Sequence, residues 1–472
     1  MTARRKPALS EAPETTRVAP ASAGRQHKYI PVTDAERAEM LAVIGVDSVD
    51  ALFADIPSAV RLDRPLNLPP ALSDPELMAH LKRLAERNVD CDRATCFLGA
   101  GAYDHYVPSV VWHLAGRGEF LTAYTPYQAE LMQGELQAGY EYQSMLCELT
   151  GMDVANASMY DGASATAEAA VMARDVTKRD EVIVSTAVHP EYREVLRTYT
   201  APLGLDIVEV PHRGGSTAVE GVADILSDRT AAVIIQHPNF FGGLERADAL
   251  AALAHERGAL LLCAVAEPLS LGILKPPGAW GADIVAGEGQ PLGNNLNFGG
   301  PYLGMLATRQ EFVRRMPGRL VGATVDTDGR RGFVLTLQTR EQHIRREKAT
   351  SNVCTNEALL ALAAAVYMAV LGKQGFRTVA ELNLRKAAYA KEAITALPGY
   401  RLAFEGPTFN EFVVKTPRAP EEINRRLAEH GILGGAPLGR WYPELADCWL
   451  LCVTEQRTRP EIDRLVSLLG DL

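Results

Sequence analysis

Five short runs decide the fold: EVIVS (residues 181–185), LDIVEV (205–210), AAVIIQ (231–236), ALLLCAV (259–265) and ADIVAG (282–287). They are rich in β-branched residues, and the segments between them, such as 246–257, have helix length. This βα alternation predicts right-handed crossovers and a mostly parallel sheet covered on both faces. Ligand-holding loops are then expected at the carboxyl ends of the strands.

Upstream, Leu131, Met132, Leu136, Met145, Leu146 and Leu149 recur every three or four residues. That spacing predicts a helix from just after Pro126 to Thr150, with Gly151 as its stop. Thr33 with Glu36 and Ser73 with Glu76 fit capping boxes, Gly45 supplies a stop, and Leu77, Leu81 and Leu84 follow at helical spacing. Downstream of an apolar helix over 358–371, a helix, EFVVKT, APEEINRRLAEH, CWLLCVT and RPEIDRLVSLL read as an α+β lobe. The expected divisions are a disordered tail at 1–27, an N-terminal helical segment at 28–150, a large α/β domain at 151–373 and a C-terminal α+β domain at 374–472.

The 472 residues are 47% hydrophobic and 22% charged, which excludes fibrous and wholly disordered classes. Lys+Arg 48 against Asp+Glu 58 gives a net charge of -10, so the bulk electrostatics favour neither nucleic acid nor anionic lipid. The seven cysteines are odd in number and scattered, with no C-x-x-C pair and no histidine at zinc-ligand spacing, which fits free thiols in a reducing cytoplasm and no bound metal. Cys448 and Cys452 read as small buried hydrophobes. The longest apolar stretch, residues 358–372, is shorter than the roughly 20 residues of a membrane span. Arg4, Arg5 and Lys6 are followed by no apolar run, and Glu11, Glu14 and nearby prolines oppose a transit helix.

FLGAGAYDHY carries Gly99-x-Gly101 without a third glycine, a weak dinucleotide signal. Tyr103, Tyr106, Tyr124, Tyr127, Tyr140 and Tyr142 crowd one stretch beside Asp104, His105, Gln128 and Glu130, equally consistent with core bodies and with a site or interface. In ASMYDGASATAEAA, Gly162, Ser164 and Thr166 open an Ala-rich helix, where backbone N–H groups and hydroxyls could hold a phosphate, or serve as an ordinary cap. His189 follows EVIVS at the sheet's carboxyl end, placed either as a structural residue or to stack on a flat ring. Together these suggest pyridoxal phosphate. That cofactor needs a lysine for its Schiff base and a carboxylate on its pyridine nitrogen, and neither expected place is filled as required.

The motifs FLGAGAYDHYVP, YTPYQAELMQGELQ, ASMYDGASATAEA, VHPEYREV, LKPPGAWGADIVAGEGQPLG, FGGPYLG and HIRREKATSNVCTNEAL run in order through the chain. In these the sequence resembles the glycine dehydrogenase (decarboxylating) P-protein of the glycine cleavage system, specifically the alpha half, subunit 1, of its two-subunit form. The resemblance implies a fold type I pyridoxal-phosphate transferase architecture. It places Gln290 where the catalytic half has its cofactor lysine, and puts the pyridine-binding acid near Val265, with Glu267 close by. Lys275 and Lys348 lie in motifs of their own and read as structural or interfacial.

The resemblance further implies that pyridoxal phosphate sits on a beta partner subunit in an alpha2beta2 assembly in the cytoplasm, with this chain inactive alone. No catalytic residue is then expected here. Gly162, Ser164, Thr166 and His189 become vestigial cofactor-binding candidates, and Tyr103, Tyr106, Tyr124 and Tyr127 candidate contacts at the partner's site. Glycine and the lipoylated H-protein are the implied reaction partners, with no nucleic acid and no membrane. Two alternatives stay open from the residues: a self-sufficient transaminase or lyase using Lys275 or Lys348, and a non-enzymatic scaffold paralogue.

Overall fold

The computed structural model describes residues 29, 31–62, 64 and 66–472, and the tail expected over 1–27 lies outside them. The chain divides into two compact units, Met1–Arg87 and Asn88–Leu472, so the segment expected as one piece over 28–150 is split at Arg87.

In the first unit, α1 (Asp34–Ile44) starts on the expected capping box: Thr33 N–H donates to the Glu36 carboxylate at 2.7 Å and Glu36 N–H donates to Thr33 Oγ1 at 3.2 Å. It ends on Gly45 in the left-handed region. α2 (Asp74–Ala85) opens the same way, with Ser73 N–H donating to Glu76 at 2.9 Å. A 3-10 turn, Val49–Phe53, lies between them, and none of the three elements buries a residue. Helices of 11 and 12 residues are marginal on their own propensity, so capping alone does not account for their stability.

The second unit is built on a seven-stranded sheet of β1 (Val154–Ala155), β2 (Glu181–Ser185), β3 (Asp206–Val210), β4 (Thr230–Gln236), β5 (Leu260–Val265), β6 (Ile284–Glu288) and β7 (Gly304–Thr308), in the order β1-β7-β6-β5-β4-β2-β3. From β6 to β3 the strands are parallel, as the five runs predict. β7 and β1 close one side antiparallel. α3 (Gln133–Thr150) ends on the left-handed Gly151. α4 (Gly162–Thr177) lays Ala165, Ala169, Ala170 and Ala173 against Val182, Ile234 and Leu262, its small side chains allowing close approach. α5 (Pro190–Thr200) packs beside α4, and Leu250 and Ala254 cover the opposite face over Ile183, Val233 and Ile235.

α6 (Ala358–Thr395) is interrupted at Gly372, with φ 57° and ψ -176°. Before the break Leu360, Ala364 and Tyr367 pack beside Leu292 and Met305 of the large core; beyond it Ala387, Ala390 and Ile394 join a second core around Trp449 and Leu451. It is the one described helix long and apolar enough to cross a bilayer, yet half of that window is buried in the chain. The second core backs an antiparallel sheet of β8 (Arg401–Leu402), β9 (Glu411–Lys415), β10 (Ala436–Pro437) and β11 (Cys448–Cys452), ordered β8-β9-β11-β10. Both Cys448 and Cys452 are buried in it. A two-residue strand, Thr95–Cys96, runs parallel to Ile432–Leu433, which delivers the following residues to the carboxyl end of the large sheet.

Candidate functional site

The carboxyl ends of β2, β4, β5 and β6 bring His189, Gln236, Glu267 and Gln290 into one buried region. His189 caps α5: its N–H donates to Gln236 Oε1 at 2.8 Å, and its Nδ1 accepts from Glu191 N–H at 3.1 Å. The proton therefore sits on Nε2, which donates to the Ala100 carbonyl at 2.8 Å. The ring stacks on Tyr192 at 5.0 Å and 28°. Burial pushes the imidazole pKa down against the pull of the Ala100 carbonyl, which keeps it neutral.

Residues 97–106 cross this region and use its polar groups. Ala100 N–H donates to Glu411 Oε1 at 2.7 Å, and the Tyr103 hydroxyl donates to Glu411 Oε2 at 2.9 Å. Tyr103 N–H donates to Gln290 Oε1 at 2.9 Å, and Gln290 Nε2 donates back to the Tyr103 carbonyl at 3.0 Å and to the Asn294 carbonyl at 2.6 Å. A glutamine amide is the one side chain of this length that matches a backbone N–H and C=O together; a lysine has no acceptor. Gly101, at φ 101°, passes so close to His189 that a Cβ would lie 2.7 Å from Nε2. The chain between His189 and Gln290 is therefore this loop.

His105 pins its far end. Nε2 faces Glu267 Oε2 and Nδ1 faces Glu455 Oε2, each at 2.7 Å, so both ring nitrogens donate and the ring is an imidazolium. Burial by itself would lower its pKa, but the two carboxylates outweigh that and raise it, while the same contact holds Glu455 low against its own burial. Asn410 donates to Glu267 at 2.8 Å, Tyr106 N–H donates to Glu455 at 2.7 Å, and Arg457 pairs with Asp104 at 2.7 Å. Burial pushes Glu411 up to about 7 against its two donors.

The start of α4 is likewise taken. Gly162 N–H donates to Glu288 Oε2 at 3.0 Å, while Gln290 and Leu303 N–H groups each donate to Glu288 Oε1 at 2.9 Å. Burial pushes Glu288 up to about 8 even so. Ser164 N–H donates to Asp161 at 2.7 Å and Thr166 Oγ1 donates back to the Gly162 carbonyl at 2.8 Å, so the hydroxyl-bearing turn acts as a helix cap. A Cβ on Gly162 would meet Tyr192 Oη at 2.0 Å.

Pyridoxal phosphate would need an amine, free N–H groups at the start of α4 and a flat slot over His189. In this arrangement Gln290 cannot form an imine, Glu288 holds the Gly162 N–H, and residues 100–103 cross the slot, so the residues present do not fit the cofactor. Val265 lies inside β5; the acid at that strand's end is Glu267, and His105 and Asn410 engage it. Lys275 and Lys348 are exposed.

The sequence-predicted tyrosines separate. Tyr103 is 1% exposed and committed to Glu411, whereas Tyr106, Tyr124 and Tyr127 are 59%, 88% and 53% exposed. The Arg319 guanidinium lies 5.7 Å from the Tyr127 ring. Sequence reading missed Glu288, Glu411 and Glu455. The one local signal was an acid ending the otherwise apolar run IVAGE.

The family "Glycine cleavage system P-protein" matches residues 27–469. The chain is 57% identical over 443 residues to the protein named "Probable glycine dehydrogenase (decarboxylating) subunit 1" in Desulforamulus reducens, covering 94% of this chain and 99% of that protein. A protein of the same name in Carboxydothermus hydrogenoformans is 56% identical over 443 residues, with the same coverage. Among solved structures, an inhibitor-bound glycine decarboxylase (P-protein) of the glycine cleavage system superimposes with a TM-score of 0.87 at 46% identity, over 94% of this chain and 100% of that one. Lactobacillus brevis glutamate decarboxylase, at 14% identity and a TM-score of 0.67 over 88% of this chain and 96% of that one, shares the fold alone.

Proposed function

The chain belongs to the glycine cleavage system P-protein family, and from that membership we propose that it is the half of a two-subunit glycine dehydrogenase (decarboxylating) that carries no cofactor of its own. Its architecture is that of fold type I pyridoxal-phosphate enzymes. The assembled enzyme decarboxylates glycine and passes the aminomethyl group to the lipoyl arm of H-protein. Pyridoxal phosphate belongs to the partner subunit, where it supplies the electron sink for loss of CO2.

The observation that carries this division of labour is the pairing of the Gln290 amide with both the N–H and the C=O of Tyr103. A chain whose own cofactor position is closed by its own backbone takes part in the chemistry through a neighbour. Its contribution is to hold residues 97–106 rigid and to present Tyr106, Tyr124 and Tyr127 outward, at the partner's site. There they would orient glycine and exclude water. Lys275 and Lys348 are exposed, which speaks against a self-sufficient transaminase or lyase that would use either as a buried cofactor lysine. The free cysteines accord with a reducing cytoplasm, and the assembly proposed is alpha2beta2.

Exchange of the glycine carboxyl group with labelled bicarbonate tests the reading. The chain alone should exchange nothing, and adding it to a lysine-bearing partner subunit should restore exchange. Exchange by this chain alone would overturn the proposal in favour of a self-sufficient enzyme, and a partner indifferent to its addition would overturn it in favour of the scaffold alternative.

A further inference from the structure

An antiparallel hairpin, Leu320–Val325 with Arg331–Thr336, is locked to α3 by two glutamines. Gln143 Nε2 donates to the Val321 carbonyl at 3.0 Å while its Oε1 accepts from Val321 N–H at 2.9 Å, and Gln133 makes the same pair with Phe333 at 2.8 Å and 2.9 Å. Leu136 packs with Val321, Phe333 and Leu335 between them. The clamp fixes the residue just before the hairpin, Arg319. That side chain is 8% exposed, yet among the described residues no carboxylate pairs with it. Its guanidinium donates to Asn356 Oδ1 at 2.8 Å, the Cys354 carbonyl at 2.6 Å and the Tyr127 hydroxyl at 3.4 Å, all neutral, and its Nε–H is buried without an acceptor. Arginine stays charged in a protein, and a buried charge is costly unless an opposite one answers it.

Arg319 borders a cavity of about 40 Å³, walled by Ala138, Gly139, Val321, Leu335 and Leu362. That is room for about three water molecules. Two further groups line it. Ala358 belongs to the first turn of α6, whose N-terminus has no side-chain cap and adds the positive end of a helix. Glu135 of α3 adds a carboxyl whose Oε2 is buried without a partner. Burial raises its pKa, towards the neutral acid that donates a hydrogen bond. A permanent cation, a helix start and an acid donor therefore meet at one small space.

We propose that this cavity binds a small planar oxyanion, a carboxylate of the formate type or bicarbonate, held between Arg319 and Glu135. The three or four heavy atoms of such an ion suit the volume better than the five of phosphate, and its plane matches the planar guanidinium, whose open Nε–H it would fill. Its single charge answers that of Arg319. The inference does not rest on the function proposed above.

The test is titration of ¹³C-formate and ¹³C-bicarbonate into the full-length chain at constant ionic strength, read by NMR line broadening. The wild type should broaden at least one of the two lines saturably; formate alone assigns the site to an organic carboxylate, bicarbonate alone to hydrated CO2, and both to the shared planar head. Arg319→Lys, which keeps the charge and loses the Nε–H, should weaken binding about tenfold or more, and Ala138→Leu, which fills the cavity and leaves both polar groups in place, should abolish it. No saturable binding of either ion by the wild type would overturn the proposal in favour of a water-filled space. Wild-type affinity in Ala138→Leu or Arg319→Lys would overturn it by placing the ion elsewhere. Chloride or phosphate displacing the labelled ion at equal concentration would overturn it in favour of an unselective counter-ion, and displacement by glycine, whose ammonium needs an ionised Glu135, would overturn it in favour of a zwitterion site. The titration and the competition need the wild type alone, so a variant that fails to fold leaves the outcome decided.

Discussion

Residues 97–106 and residues 31–87 solve opposite problems. The first carries polar backbone and side-chain groups into the interior, and Glu411, Gln290, Glu267 and Glu455 receive them at 2.7–2.9 Å. The second carries apolar side chains to the surface and buries none of its helical residues. An interior polar segment survives only when its groups are paired, and an exposed apolar one only when something else covers it. The difference is one of pairing and burial: the loop's polar groups find partners inside the second unit, whereas the helices of the first unit are capped locally and bury none of their residues.

The sharpest way to break that contrast is to unpair the loop. His105→Ala would leave the Glu267 and Glu455 carboxylates buried without their cation, which should cost about 3–5 kcal/mol of stability. Urea unfolding monitored by fluorescence reads the loss. A change below about 1 kcal/mol would mean that the loop does not depend on this pair. Gln290→Lys should cost less, about 1–3 kcal/mol, since Tyr103 N–H would lose its acceptor and an ammonium would be buried. The variant should show no visible absorbance of lysine-bound pyridoxal phosphate when the vitamer is added, because the loop and Glu288 still fill the site. A yellow, stable Gln290→Lys protein would contradict the filled-site account.

Alkaline pH should loosen the same loop. Burial pushes Glu288 up to about 8 and Glu411 up to about 7, and the flanking carboxylates hold His105 high against its burial. All three folded-state values lie above their unfolded ones. Each therefore contributes stability that is complete below the unfolded value and lost as the pH rises through the folded one. The melting temperature should fall from about pH 6 to about pH 9, with Glu455, held low, acting in the opposite sense only at acid pH. Glu288→Gln should flatten the fall, and a melting temperature that rises over this range would contradict the assignment. The smallest effect belongs to α2: Leu77→Ala with Leu81→Ala should change the stability of the chain by less than about 0.5 kcal/mol, because neither side chain is buried. A loss near that of a core leucine, about 2–5 kcal/mol, would show that the chain covers this face itself.

Much of this frame was legible because it is local. The five β-branched runs became the parallel strands, the two capping boxes formed, and Gly151 stopped the helix that Leu136 and Leu146 anchor. Gln290 could be placed through the family resemblance, and the structure gives its amide two partners on Tyr103. Illegible were the contacts that close over hundreds of residues. Glu411 and Glu455 come from the second lobe, more than 300 positions from the loop they hold, and no periodicity near residue 100 announces them. Tyr103 and Tyr124 look alike in sequence; a tyrosine's apolar body and polar tip suit a buried hydrogen bond and an exposed surface equally well, and only the fold sends one to Glu411 and the other to solvent.

The central claim is that this chain's cofactor position is closed from within while the chemistry belongs to its partner. Borohydride reduction of the assembled two-subunit enzyme, followed by peptide mapping, tests it most directly. The account predicts pyridoxyl-lysine on peptides of the partner and none on this chain; a pyridoxyl adduct on any lysine of residues 88–472 would contradict it.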